Sequence, residues 1–143
     1  GISLYGARNC VVVNNTVIDT DSSSPGPPWI MITDHKNGAS SSNSVVRNNL
    51  ATDISVGTET IEDHNVEISM NELGSYFLDP HSGKYGLASG SLAIDAGSAT
   101  DAPRSDIIGV ARPQGDGYDV GAYEYPDGAL QLPAPRNLRV LEQ

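Results

Sequence analysis

An internal repeat restricts this chain more than any other feature. "VVVNNTVID" (Val11 to Asp19) and "SVVRNNLATD" (Ser44 to Asp53) align so that Val12 meets Val46, Asn14 meets Asn48 and Asn15 meets Asn49, each 34 residues apart. "DHNVEIS" (Asp63 to Ser69) offers Asn65 after a shorter loop, and a second series runs beside the first, "ISLYG" from Ile2 and "IMITD" from Ile30. Self-similarity at such a period signals stacked supersecondary units. The units lack a 3.6-residue apolar period and are poor in helix formers, which excludes the helical arrays. They are short β-branched runs broken by Ser, Gly, Pro and Asn, and each reads as strand, turn, strand, loop. The expectation is an all-β chain built as a short parallel β-helix, a solenoid with coils about 4.8 Å apart.

The paired asparagines have a mechanism in that setting. Asn tolerates left-handed backbone angles at a corner between two sheets, and stacked Asn side chains bond to one another along a ladder. Asn14, Asn15, Asn48 and Asn49 are therefore expected to be structural; ordinary turn chemistry is the plainer reading of the same residues. The loops differ between coils. "DSSSPGPPW" (Asp21 to Trp29) and "DHKNGASSSN" (Asp34 to Asn43) are polar excursions, expected on one flank, and such a flank usually binds.

Composition narrows the function classes. The formal net charge of −10 repels nucleic acid and anionic lipid, so neither is expected as a partner. No apolar run approaches the length of a membrane span, so no membrane insertion is expected. The single cysteine, Cys10, cannot form an internal disulfide; beside Val11 to Val13 it reads as a buried, inert thiol. Gly1 opens directly into a strand-like stretch, as the interior of a longer protein would.

From Leu73 onward the repeat fades. "SLAIDAG" reads as one helical turn with Ser91 as its cap and Gly97 as its stop. "DIIGVARPQGDGYDVGAYEY" follows, its end "DVGAYEY" (Asp119 to Tyr125) reading as a short strand. "PDGALQLPAPRNLRVLEQ" is a linker by composition, with Pro126, Pro133 and Pro135. The expected division is coils over 1–72, a C-terminal β cap over 73–126 and a linker over 127–143.

Ala93, Ile94, Asp95, Ala96 and Gly97, then Arg112 and Pro113, then Asp119, Gly121, Ala122, Tyr123 and Glu124 carry a resemblance. Together they resemble a domain near the C-termini of large bacterial right-handed parallel β-helix proteins, often called choice-of-anchor Q. The chain departs from that pattern at Leu92, where the family usually has Pro, and conservatively at Val120. The likeness covers roughly Leu73 to Tyr125, with weaker β-helix likeness over Gly1 to Met70. It implies a right-handed solenoid, a C-terminal capping segment, and an extracellular or cell-surface location. It is poor for activity, since parents with this end include polysaccharide-degrading enzymes and adhesins. "PAPRNLRV" also looks like the opening strand of a fibronectin type III module.

"DVGAYEY" would then lie over the last coil as a closing strand, with Asp119 and Glu124 bonded to backbone groups or to Arg112, and Asp95 structural. A calcium loop is only approximated by Asp116, Gly117, Tyr118 and Asp119, and the oxygen count is short. No cofactor is expected, with calcium left open. An active site needs more. A lyase base would come from Asp34, His35 and Lys36; hydrolase carboxylates would come from Asp19, Asp34 and Asp53. Asp after a strand is commonly a turn residue. His64 and His81 stand alone, and Trp29 either offers a sugar-stacking face or covers a coil edge.

Two readings follow. One is a non-catalytic C-terminal β-helix and capping segment of a larger secreted or surface carbohydrate-associated protein, with polysaccharide as its possible partner. The other is part of a polysaccharide lyase or glycoside hydrolase of the pectate-lyase-like class. A first coil left bare around Ile2, Leu4 and Val12 would also self-associate, head to head.

Overall fold

The structure is a computed structural model and describes residues 1–21, 23, 26 and 30–126. It consists mainly of strands with little helix. Nine of the strands form three parallel sheets, and each of three successive passes of the chain supplies one strand to each sheet. The first pass runs β1 (Ile2–Tyr5), β2 (Val11–Val13), β3 (Thr16–Val17). The second runs β4 (Ile30–Thr33), β5 (Ser44–Arg47), β6 (Leu50–Ala51), and the third β7 (Ile54–Val56), β8 (Thr60–Asp63), β9 (Val66–Glu67). The sheets are β1-β4-β7, β2-β5-β8 and β3-β6-β9, each with the second-pass strand in the middle.

The register follows the sequence repeat. Val12 pairs with Val46 and Thr16 with Leu50. The companion series pairs Ile2 with Ile30, and Ile30 in turn with Ile54. Alternation along the strands sends one set of side chains inward. Val12, Ile30, Ile32, Val46, Ala51 and Ile54 form one apolar cluster between the three sheets.

Between the second and third sheets the chain turns through two residues, and the amides hold that turn. Asn14, Asn48 and His64 sit at φ of 51°, 55° and 51°, the left-handed region where a short polar side chain is favoured. The next residue in each pass is Asn15, Asn49 and Asn65, and these three form a ladder. Asn15 Nδ2 donates to Asn49 Oδ1 at 2.9 Å, and Asn49 Nδ2 donates to Asn65 Oδ1 at 3.0 Å. The same oxygens accept the backbone N–H of Asn15 and Asn49, at 3.0 and 2.9 Å. The ladder therefore satisfies backbone donors that the turn leaves unpaired inside the molecule.

Residues after β9 form a second body of structure packed outside the sheets. A 3-10 turn (Met70–Glu72) leads into the short helix α1 (Leu73–Tyr76) and the antiparallel pair β10 (Phe77–Asp79) and β11 (Lys84–Leu87). Leu73, Tyr76, Phe77, Leu87, Ala93 and Val120 bury Leu50, which points out of the β3-β6-β9 sheet, since its neighbour Ala51 points in. No described helix is long and apolar enough to cross a membrane.

Several expectations are corrected here. "SLAIDAG" is a hydrogen-bonded turn without a helix, closed by Ile94 N–H donating to Ser91 O, and Asp95 takes a left-handed φ of 56°. "DVGAYEY" is not a regular strand, because its bonds go to side chains and scattered carbonyls instead of a ladder. Nor does it lie over the third pass. Gly121 N–H donates to Asn48 O at 2.8 Å, Ala122 N–H donates to Thr16 Oγ1 at 2.9 Å, and Asn14 Nδ2 donates to Asp119 O at 3.0 Å. The segment runs along the corner of the first and second passes. Gly121 has φ of 98°, and a Cβ there would stand 2.7 Å from Thr16 Oγ1, so this approach requires glycine. Of the two long loops, most of Asp21 to Trp29 lies outside the described residues, while Asp34 to Asn43 connects β4 to β5. Cys10 is half-buried, its thiol 3.6 Å from Arg8 O. The expected linker over 127–143 lies outside the described residues.

Asn48 is fully buried; its Nδ2 donates to Ser98 O and to Asn14 Oδ1, and its Oδ1 accepts from Ser98 N–H at 2.8 Å. Asn48→Leu removes these bonds and leaves buried partners unmet. It should cost about 1–3 kcal/mol in urea unfolding; an unchanged midpoint would show that the amide carries no load.

Candidate functional site

Tyr5, Asp34, His35 and Lys36 line one surface cleft, so the structure brings the three lyase candidates together. Their bonds, however, shape the loop between β4 and β5. Asp34 Oδ1 accepts Ser41 N–H at 2.9 Å, His35 Nδ1 accepts Asn37 N–H at 3.1 Å, and His35 N–H donates to Ala39 O at 2.8 Å. A carboxylate and an imidazole oriented by neighbouring N–H groups are turn residues first. Lys36 is exposed on the same loop.

The hydrolase candidates are placed differently. Asp19 is buried, and its carboxylate accepts Asp21 N–H at 2.8 Å and Gly26 N–H at 3.4 Å. It closes the start of the long loop after β3. Asp53 is exposed, and its carbonyl accepts Ile30 N–H. His64 Nδ1 stands 3.1 Å from Asp63 Oδ1 at its left-handed corner, and His81 is exposed in the 3-10 turn Pro80–Ser82. Trp29 lies outside the described residues.

The densest polar constellation is one that the sequence had indicated only as structural. Arg112 and Glu124 are buried and joined at 2.6 Å, Nη1 to Oε2. Arg112 also donates to Asp119 O at 3.1 Å and Gly121 O at 2.8 Å, while Glu124 Oε1 accepts Gln114 N–H at 2.8 Å. Asp119 is buried as well, its Oδ1 accepting Asp95 N–H at 2.8 Å and its Oδ2 accepting Tyr125 N–H. Burial pushes the Asp119 carboxyl above its ordinary value, against the pull of those two N–H groups. Asp95 Oδ1 accepts Gly117 N–H at 2.7 Å and so fastens the preceding turn. Every carboxylate in this knot holds backbone.

That disposition bears on metal binding. Both Asp119 oxygens accept N–H groups, Asp116 is exposed, and among the described residues no three His, Cys, Asp or Glu side chains gather as a cation site. A second ionic clasp ties the passes to the outer body: Arg47 on β5 bonds Asp63 on β8 at 2.5 Å and Asp101 at 2.7 Å. Sequence reasoning missed this clasp, because Arg47 interrupts the Val/Asn pattern and Asp101 lies far along the chain.

Two measurements follow. Arg112→Met leaves Glu124 buried and uncompensated and should cost about 3–5 kcal/mol, read from denaturant midpoints; a near-neutral effect would mean that solvent reaches the pair. The Arg47 hydrogen bonds hold the Asp63 carboxyl down at about 2. A depressed folded-state value stabilises above the unfolded value of about 3.9, and this is lost as pH falls toward the folded one. Stability should decline between about pH 4 and pH 2, and Asp63→Asn should flatten that part of the curve.

No protein-family model matches the chain, and no curated protein or solved structure resembles it closely enough to count as a match.

Proposed function

We propose that the chain is a non-catalytic scaffold: three coils of a right-handed parallel β-helix, buttressed along one flank by its own C-terminal capping segment, within a larger secreted or surface carbohydrate-associated protein. The stacked-coil reading is supported by the strand order, in which each pass adds one strand to each of three parallel sheets in aligned register. The inward aliphatic rows and the asparagine ladder are what such a stack needs at its core and corner.

One observation carries the scaffold reading: residues 119–122 occupy the corner formed by Asn14, Thr16 and Asn48. Side chains that a ligand would otherwise meet there are bonded to the chain itself. The carbohydrate association and the location rest on the resemblance of the motifs around Asp95, Arg112 and Asp119. A second reading, a polysaccharide lyase or hydrolase site, is favoured only by the cleft that collects Tyr5, Asp34, His35 and Lys36.

The full chain, with and without calcium, should show no turnover of neutral or uronate polysaccharides. Unsaturated product abolished by His35→Ala or Lys36→Ala would overturn the scaffold reading in favour of the second. Titrating the fluorescence of the single tryptophan, Trp29, with oligosaccharides tests the carbohydrate association directly; a signal unchanged by every sugar tried would count against it.

A further inference from the structure

The inward rows of the three sheets do not continue unchanged into the third pass. Val12 and Val46 are followed in register by Glu62, and Val17 and Ala51 by Glu67. Because parallel partners in register point to the same side, Glu62 and Glu67 are directed at the end of the core that the valines and alanine fill. Ile54 and Val56 keep the aliphatic character of the remaining rows. Both glutamates are exposed, so this end of the core opens to solvent among the described residues. The outer body does not close it, since its apolar contacts go to Leu50 and the outer face of the β3-β6-β9 sheet.

Strands β7, β8 and β9 also stand last in their sheets. Each therefore presents a row of backbone donors and acceptors on its free side, a template for another strand. The surface they frame carries Ile54 and Val56, the hydroxyl of Thr60, and the two carboxylates Glu62 and Glu67. An edge of that kind has one inexpensive partner, a copy of itself. A two-fold axis across the end of the stack would set strand edge against strand edge in antiparallel pairing and bring each acidic row near its equivalent. As carboxylates the rows repel and would be desolvated without partners. As carboxylic acids they donate and accept hydrogen bonds with one another.

We propose that this third-pass edge is a charge-gated dimerisation surface, held open near neutral pH by Glu62 and Glu67 and joined tail to tail with a second copy once they are neutralised. The groups that face Glu62 are few: Val46 above it, the uncharged β7 side chains across the core, and Glu67 on β9. Asp63, next in sequence, points the other way into its bonds with Arg47 and His64. Partial desolvation at the rim of the core raises the Glu62 carboxyl above its ordinary value and the Glu67 charge adds to the shift, so mild acidification favours the joined state. Such a surface is independent of the scaffold role and follows from the strand register and the free edges.

Light scattering coupled to size exclusion on the full chain tests it. The wild type should run at 15.0 kDa near neutral pH and move toward twice that mass as the solution is acidified. Glu62→Gln with Glu67→Gln should dimerise at neutral pH. Asp34→Asn with Asp116→Asn, an equal change of net charge outside the third pass, should not. Glu62→Lys with Glu67→Lys should stay monomeric in acid. A glutamine variant that is monomeric at neutral pH with a native far-UV CD spectrum overturns the proposal. So does acid dimerisation that survives both lysines, since association would then run through another surface. If the glutamine variant fails to fold, the wild type and the lysine variant decide between these outcomes. None of them bears on turnover or sugar binding, by which the scaffold role stands or falls.

Discussion

Everything in this molecule depends on satisfying backbone groups at one corner. A chain that turns from one parallel sheet to the next within two residues must leave N–H groups without ladder partners, and here those of Asn15 and Asn49 are stacked along the corner. The asparagine side chains resolve this because an amide both donates and accepts. Asn49 receives Asn15 above and gives to Asn65 below, while its Nδ2 also donates to Val12 O at 2.8 Å. Apolar packing between the sheets can be close only because this polar seam is closed. The seam also fixes register: a slip of one residue would put valines where the amides are needed and amides among the valines.

The outer body extends the same chemistry. It attaches less by regular pairing than by side chains that capture backbone: Asn14 and Arg112 give to the carbonyls of Asp119 and Gly121, and Asp119 and Glu124 take N–H groups around them. Apolar contact around Leu50, Phe77 and Val120 supplies the burial, and the Arg112–Glu124 pair orients the loop that carries it. One buried nitrogen, Arg112 Nε, has no protein partner among the described residues.

How much was legible in the sequence follows from which interactions are local and repeated. The first two passes could be aligned because the same turn, with the same two asparagines, recurs at one spacing. The third pass was fainter. Its turn begins with His64 instead of Asn, its spacing falls to 16 residues, and two inward positions carry Glu62 and Glu67 where the pattern calls for aliphatics. The candidate acids at Asp19 and Asp34 were recognisable as turn residues from their positions after strands. The path of the C-terminal segment was not legible at all. Its conformation is set by carboxylates and a guanidinium holding backbone from a distance, and no periodicity encodes which corner such a segment will meet. Hence a closing strand over the last coil was the natural expectation, and the corner of the first two passes is where it lies.

That placement has a consequence for how the chain acquires its shape. Asn14 finds its acceptor at Asp119, 105 residues later, and Thr16 finds Ala122 across 106. Contacts of this separation are the last to repay the entropy of closing their loop and the slowest to form. As the chain leaves the ribosome, the strands of the first two passes can align long before the residues that cover their corner exist. During that interval the Asn14 amide, the Thr16 hydroxyl and the outer face of Leu50 are open to water and to other chains. The vulnerable stage of this protein's life is thus written into its topology: the beginning of the chain waits for its end.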